Sequence, residues 1–277
     1  MPQAAILADR SVISVTGPES RAFLQGLISN DMADCVPGRA IYAALLTPQG
    51  KILFDFFVAD SGDGTLLDCA AAREGELLKR LGLYRLRSKV EIVPRPDLAI
   101  SATWNGSVPG PGAAALVFPD PRHGELGSRV IAPRAELEGT VSDSPDNYQA
   151  RRLELGIPDS ADLPPDSVFA LDAGLEELHG VSFKKGCYIG QEVTSRMKHR
   201  ATARRRFIIA DTVGQLPAPG TPLIAAQREL GTLATGRDGR ALALLRLDRL
   251  NEAEEMGYPI MAAGQQFHLR RPSWLEL

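Results

Sequence analysis

The run Lys184-Lys185-Gly186-Cys187-Tyr188-Ile189-Gly190-Gln191-Glu192 sets a thiol just beyond two lysines and just before a segment able to start a helix. Nearby positive charge and a helix N-terminus both favour thiolate over thiol, and the thiolate is the nucleophilic and metal-binding form. Cys187 is therefore the candidate functional residue. It is expected to react ahead of Cys35 and Cys69, which lack so close a basic pair. The competing reading is a small buried hydrophobe, the usual role of a free cysteine. A second candidate is Asp55, set among Phe54, Phe56 and Phe57. Side chains alternate along a strand, so Ile52, Phe54, Phe56 and Val58 share a core face while Lys51, Leu53, Asp55 and Phe57 share the other. Leu53 and Phe57 suit solvent poorly, so that second face is expected to line a cavity with Asp55 as its polar anchor. An ordinary exposed strand aspartate is the alternative.

These residues need elements to hold them. Ser11–Val15 reads as a strand, and Gly17-Pro18-Glu19 opens a helix with Phe23, Leu24, Leu27 and Ile28 on one face, followed by Asn30 and Asp31. The turn Thr47-Pro48-Gln49-Gly50 joins the apolar runs Ile41–Leu46 and Ile52–Ala59 as a hairpin. Further strands are predicted at Thr65–Ala70, Lys89–Val93, Ala99–Trp104, Ala114–Phe118 and Arg129–Ala132, with a helix over Arg73–Leu83 and a Gly/Pro-rich loop at Val108–Gly112. A helix over Asp146–Leu155 is capped by Ser144-Pro145 and stopped by Gly156. From Phe207, short strands between Gly/Pro turns, with Asp238-Gly239 as a tight hairpin, predict a small β-barrel. The fold class is α+β. Two lobes with antiparallel sheets occupy residues 1–206, the second inserted at roughly 60–145, and a C-terminal barrel occupies 207–277. The barrel's strand edges are expected to need cover from the lobes.

Of 277 residues, 44% are hydrophobic and the formal net charge is −3, an ordinary globular balance that names no partner. Three widely spaced cysteines make no disulfide framework, and no Cys/His grouping suggests a metal site. With an N-terminus that lacks a signal or transit pattern, this predicts a cytoplasmic protein in a reducing compartment. The longest uncharged run, Leu98–Pro119, is broken by Pro109 and Pro111, so neither a membrane span nor a membrane partner is expected. Between Lys184 and Arg206, eight Lys/Arg stand against one acid, Glu192. That block reads as a solvated face, a site for an anionic small ligand, or an RNA surface, the last without interleaved aromatics. GxSxG, P-loop and GxGxxG patterns are absent, and only His179 is near enough in sequence to Cys187 to serve as its base.

Phe23–Asp31, the Thr47–Asp55 hairpin, Arg152-Leu153-Glu154-Leu155-Gly156-Ile157-Pro158 and above all Ser182–Glu192 resemble the folate-binding YgfZ family, relatives of the T-protein (aminomethyltransferase) of the glycine cleavage system. The resemblance spans nearly the whole chain, and its KGCYxGQE signature is long and specific. It implies a three-lobed, ring-like fold whose central channel holds tetrahydrofolate. It also implies a role in assembling or maintaining iron–sulfur enzymes, tRNA-modifying ones among them, with Cys187 as the functional thiol. Asp55, Asn30, Glu154, Lys185, Gln191 and Arg196 are the residues it offers to folate, with basic groups at the mouth holding a polyglutamyl tail. Asp55 falls where T-proteins carry their catalytic aspartate, but here Phe54-Asp55 replaces their paired Asp-Asp and a cysteine is added. Folate-dependent aminomethyl transfer with Asp55 as base is the enzyme alternative, and tRNA binding by the 196–206 basic block is another. Reduced folate and iron–sulfur client proteins are the expected partners.

Overall fold

A computed structural model describes residues 3–106, 112, 115–201 and 203–275. The predicted loop Val108–Gly112 lies outside the described residues except for Gly112. β1 (Gln3–Ile6) and β2 (Arg10–Thr16) follow one another directly yet enter different sheets. α1 (Ser20–Gln25) leads to β3 (Ile41–Leu46), β4 (Ile52–Asp60), β5 (Gly64–Ala70), α2 (Glu74–Arg85) and β6 (Glu91–Pro94). The first sheet runs β3-β4-β5-β2-β6, with every pair antiparallel. β7 (Leu98–Trp104), β8 (Leu116–Pro119) and β9 (Ser128–Pro133) join β1 in a second antiparallel sheet of order β1-β7-β9-β8.

α3 (Arg134–Glu138) and α4 (Pro145–Leu155) come next. The Ser144 hydroxyl caps α4 by accepting from the Asp146 N–H, and Gly156 ends the helix in the left-handed region at φ 72°. An irregular segment with one short turn at Ser160–Asp162 leads to α5 (Gln191–His199). The barrel then forms from β10 (Arg205–Asp211), β11 (Pro222–Ala225), β12 (Arg228–Arg237), β13 (Arg240–Arg246), α6 (Leu247–Glu255), β14 (Ile260–Ala262) and β15 (Gln265–Arg270). It closes in the order β10-β13-β12-β11-β14-β15.

The α+β class with antiparallel sheets and a terminal barrel is the observed one. The division of the lobes is not the expected one. β5, α2 and β6 stay with the first sheet because Leu67, Cys69, Leu77 and Leu81 face its core, and the change of sheet comes at Leu98. The open barrel edges are also corrected, since closure pairs them and Leu223, Leu233, Leu245 and Phe267 fill an interior of its own.

The first sheet is covered on both sides. One face packs under α1 and α2 through Phe23, Leu24, Phe54, Phe56 and Val58. The other places Tyr42, Ala44, Leu46, Ile52 and Phe57 against Leu153 and the barrel residues Phe207, Ile209 and Leu242. Burying such a side chain stabilises by about 1.5–3 kcal/mol, which fixes the register. The second face is therefore packed core, and the cavity expected there is filled by protein. The alternation also breaks: Leu45 pairs with Phe54 and Leu46 with Ile52, so Leu53 is the extra residue of a bulge. Ile52 thereby moves to the Asp55 side, and Leu53 packs with the Phe54 side.

Candidate functional site

Cys187 sits on an exposed loop that enters α5. Two glycines set the loop's position. Gly190 has φ 83°, and a Cβ there would come 2.5 Å from the Thr47 carbonyl oxygen. Across the contact Gly50 has φ 80°, with the Val193 Cβ 3.2 Å from where its own Cβ would be. The β3–β4 turn and the start of α5 thus meet backbone to backbone, which only glycine permits. Lys185 makes the second attachment. Its Nζ donates to the carbonyls of Gln25, Ile28 and Asn30 at 2.7, 2.7 and 2.8 Å. Burial pushes this ammonium down to about 8. Lys185 therefore ties the loop to the end of α1, and its charge is spent on carbonyls. Of the other cysteines, Cys35 is packed against the Val58 carbonyl and Cys69 lies within β5, and burial raises both thiols to about 11.

Beside this loop lies a cavity of about 840 Å³, lined by Asn30, Arg39, Pro121, His179, Phe183 and Lys184 among others. The Asn30 amide donates to the carbonyls of Tyr42 and His179, both at 2.7 Å, so it shapes the wall with its donors already used. Arg39 pairs with Asp34 at 2.8 Å in an exposed setting. Lys184 is exposed, three residues before Cys187.

Asp55 is elsewhere. It is 5% exposed, accepts from the Tyr42 hydroxyl at 3.0 Å, and lines none of the four cavities described. Around it lies a buried ionic cluster. Arg10 pairs with Asp68 (2.6 Å) and Asp159 (3.3 Å), and Arg129 with Asp68 (2.5 Å) and Asp120 (3.0 Å). Arg122 pairs with Asp120 (2.9 Å) and Arg152 with Asp162 (2.8 Å). The guanidiniums of Arg129, Arg122 and Arg10 sit 3.8, 4.8 and 5.6 Å from the centre of the Phe57 ring. Four arginines balance four aspartates in these pairs, and Asp55 is a fifth carboxylate. Burial accordingly raises its pKa, against the pull of Arg10 and with a push from Asp159. A second cavity of about 410 Å³, lined by Arg10, Arg73, Arg152, Asp159 and Arg237, lies beyond the cluster and shares no lining residue with the first.

Residues 204–277 match the family described as CAF17, C-terminal beta-barrel domain. The iron-sulfur cluster assembly factor IBA57, mitochondrial, of Homo sapiens is 34% identical over 276 residues, covering 88% of this chain and 77% of its own length. The chain belongs to the IBA57 family. The Mus musculus IBA57 is 32% identical over 279 residues, with the same two coverages of 88% and 77%. The Neurospora crassa IBA57 homologue is 29% identical over 255 residues, 81% of this chain and 58% of its own. Among solved structures, the glycine cleavage system aminomethyltransferase T from Bartonella henselae matches with a TM-score of 0.75, over 99% of this chain and 86% of that one, at 18% identity. That likeness speaks for the fold alone. The cytoplasmic expectation is corrected here, because these IBA57 relatives are named as mitochondrial proteins.

The IBA57-family fold separates the residues offered to folate. Asn30 lines the large cavity and its carbonyl accepts from Lys185, which does not itself line it, while Asp55 is buried beside Tyr42. Glu154 is exposed on α4 and pairs with Arg151 at 2.8 Å, and Arg196 is exposed and pairs with Glu192 at 2.5 Å. Gln191 opens α5 and lines none of the four cavities. Much of the basic block is also neutralised: Lys198 pairs with Glu176, and Arg206 with Glu177 at 3.4 Å. Sequence reasoning passed over Arg39, which carries no local pattern, and held Phe183 only as part of the Ser182–Glu192 signature, not as a cavity residue. It also passed over the ionic cluster, whose one visible sign was Arg129 at the head of the otherwise apolar strand Arg129–Ala132.

Proposed function

We propose that this chain is an iron–sulfur cluster assembly factor that works through the Cys187 thiolate, with a reduced folate held in the cavity beside Lys184. The observation that carries the reading is the placement of the one exposed cysteine, on a loop pinned at Gly190 and Lys185 next to a ligand-sized cavity. Thiolate is the protein ligand that iron–sulfur clusters take, and one thiol is too few to hold a cluster. No group of three or more His, Cys, Asp or Glu suited to a metal exists among the described residues. The remaining cluster ligands therefore come from a donor or client protein, tRNA-modifying enzymes among the clients, and Cys187 acts at that contact. The cavity suits an elongated ligand with a flat head and an acidic tail. Phe183 lines it with a ring that has Lys198 over one side, Lys184 offers charge for glutamyl carboxylates, and Arg39 would exchange its Asp34 partner for one.

Aminomethyl transfer with Asp55 as base draws no support from the geometry, since that carboxyl is buried, hydrogen-bonded to Tyr42 and held toward its neutral form. Calorimetry with tetrahydrofolate and its polyglutamate, together with cluster transfer to an apo client, tests the proposal. Cys187→Ala should retain folate binding and lose transfer; Lys184→Ala should weaken the polyglutamate more than the monoglutamate. Full cluster transfer by Cys187→Ala would sink the thiol role, and no heat from either folate would sink the cofactor.

A further inference from the structure

We infer that the exposed end of α2 and the turn after it form a docking surface for an anionic lipid bilayer. Residues 79–89 read Lys-Arg-Leu-Gly-Leu-Tyr-Arg-Leu-Arg-Ser-Lys, five cations with no acid. Lys79, Arg80, Arg85, Arg87 and Lys89 are all exposed. Arg73 and Arg95, on either side of the run, are paired with Glu76 and Asp97 at 2.7 and 2.6 Å. The five cations between them form no ion pair among the described residues, and their one side-chain hydrogen bond is the weak contact from Arg85 to the Val90 carbonyl at 3.5 Å. The neighbouring acids are Glu19, which accepts from the Lys89 backbone N–H at 3.0 Å, Glu91, which closes the run, and Glu74 and Glu76 in the first turn of α2, the latter paired with Arg73.

Apolar side chains stand among these charges. Leu77 and Leu81 anchor α2 to the first sheet, while Leu83 is 61% exposed and Leu86 is 85% exposed. Leu86 takes φ 46°, in the left-handed region where glycine is unstrained and leucine is not. The turn thus displays an apolar side chain at a conformational cost. Neither of the two cavities described above is lined by a residue between 74 and 94, so this surface stands apart from both. Leucines at a tip ringed by unpaired Lys and Arg match a soft planar surface: the leucines enter the interface and the cations meet lipid phosphates. An acidic protein would need a complementary recess for the leucines, and RNA would need an exposed ring for stacking. The inferred surface departs from the expectation of no membrane partner, which rested on the lack of an apolar span. No helix among the described residues is long and apolar enough to cross a membrane, so association here is peripheral.

The test is co-sedimentation of the full chain with vesicles of phosphatidylcholine containing about a third phosphatidylglycerol, against pure phosphatidylcholine, at low and high salt. Binding is expected to the anionic vesicles alone and to fade with salt. Removing one leucine, as in Leu83→Ser or Leu86→Ser, should weaken it about tenfold, and Arg80→Glu or Arg87→Glu by about fivefold or more. All four variants should keep the parent's thermal midpoint, because these side chains leave the folded protein exposed. No binding to anionic vesicles overturns the inference. So does equal binding to neutral ones, or binding that the leucine variants leave unchanged. Displacement from vesicles by single-stranded RNA acting through the same residues would assign the surface to nucleic acid and also overturn it.

Discussion

Three thiols in one chain make an internal comparison that isolates environment from chemistry. Cys187 is exposed, whereas burial holds Cys35 and Cys69 up at about 11. Mass-spectrometric alkylation near neutral pH should therefore label Cys187 first, and Cys187→Ala should leave the unfolding free energy within about 0.5 kcal/mol of the parent, as exposed substitutions usually do. Slow labelling of Cys187 would show that the loop is closed in solution. Asp55 offers the opposite test. Its pKa is raised on folding, so its carboxyl favours the fold when both states are protonated and loses that advantage as pH rises past the unfolded value of about 4. Asp55→Asn should thus match the parent in acid and be the more stable protein near neutrality, read from denaturant midpoints across pH. A neutral-pH loss of stability would mean that the carboxylate is charged and needed. Of these residues, Cys187 was legible because its cue is local: two lysines, two glycines and a helix start. Asp55 was legible as an oddity but misplaced, because the bulge at Leu53 and the cover over Phe57 come from distant chain.

At the scale of elements, the loop is held by contacts that sequence spacing cannot show. Gly190→Ala places a methyl group against the Thr47 carbonyl in a left-handed conformation, so the turn and α5 must part. Strain and lost packing together should cost on the order of 2 kcal/mol, and cluster transfer should fall although Cys187 is intact. Parent-like stability and transfer would show that the turn yields freely. Lys185→Met strands three carbonyls, and leaving buried acceptors unmade also costs about 1–3 kcal/mol. The hairpin at Thr47–Gly50, the capped α4 and the start of the barrel could all be read from turn residues and caps. α6 and β14 could not, since Leu247–Ala262 has only Gly257 and Pro259 as punctuation and its apolar residues find partners across the barrel.

The whole molecule is clasped by the ionic cluster. Arg129 reaches from β9 to Asp68 on β5 and to Asp120 after β8, joining the two sheets, and Arg152 on α4 donates to Thr235 of the barrel at 2.9 Å. Arg129→Leu takes one of two arginine partners from each of two buried carboxylates, Asp68 keeping Arg10 and Asp120 keeping Arg122, and should destabilise by about 3 kcal/mol in chemical denaturation; a loss under about 1 kcal/mol would mean that the clasp is redundant. Asp120, buried but held at about 2 by Arg122 and Arg129, stabilises the fold above the unfolded value of about 4, and this contribution is lost as pH falls through about 2. Beyond Arg129 in its apolar run little of this was visible in the sequence, because its members come from six separate segments and nothing local pairs the aspartates with their arginines. Tyr42, Asp55 and the arginine-ringed Phe57 are buried within the clasp, and the cavity at Lys184 shares no lining residue with the one at Arg152. A macromolecule that comes to rest on the Cys187 thiol does so three residues from Lys184 on the cavity wall, so what fills the cavity and what docks on the thiol are neighbours on one surface.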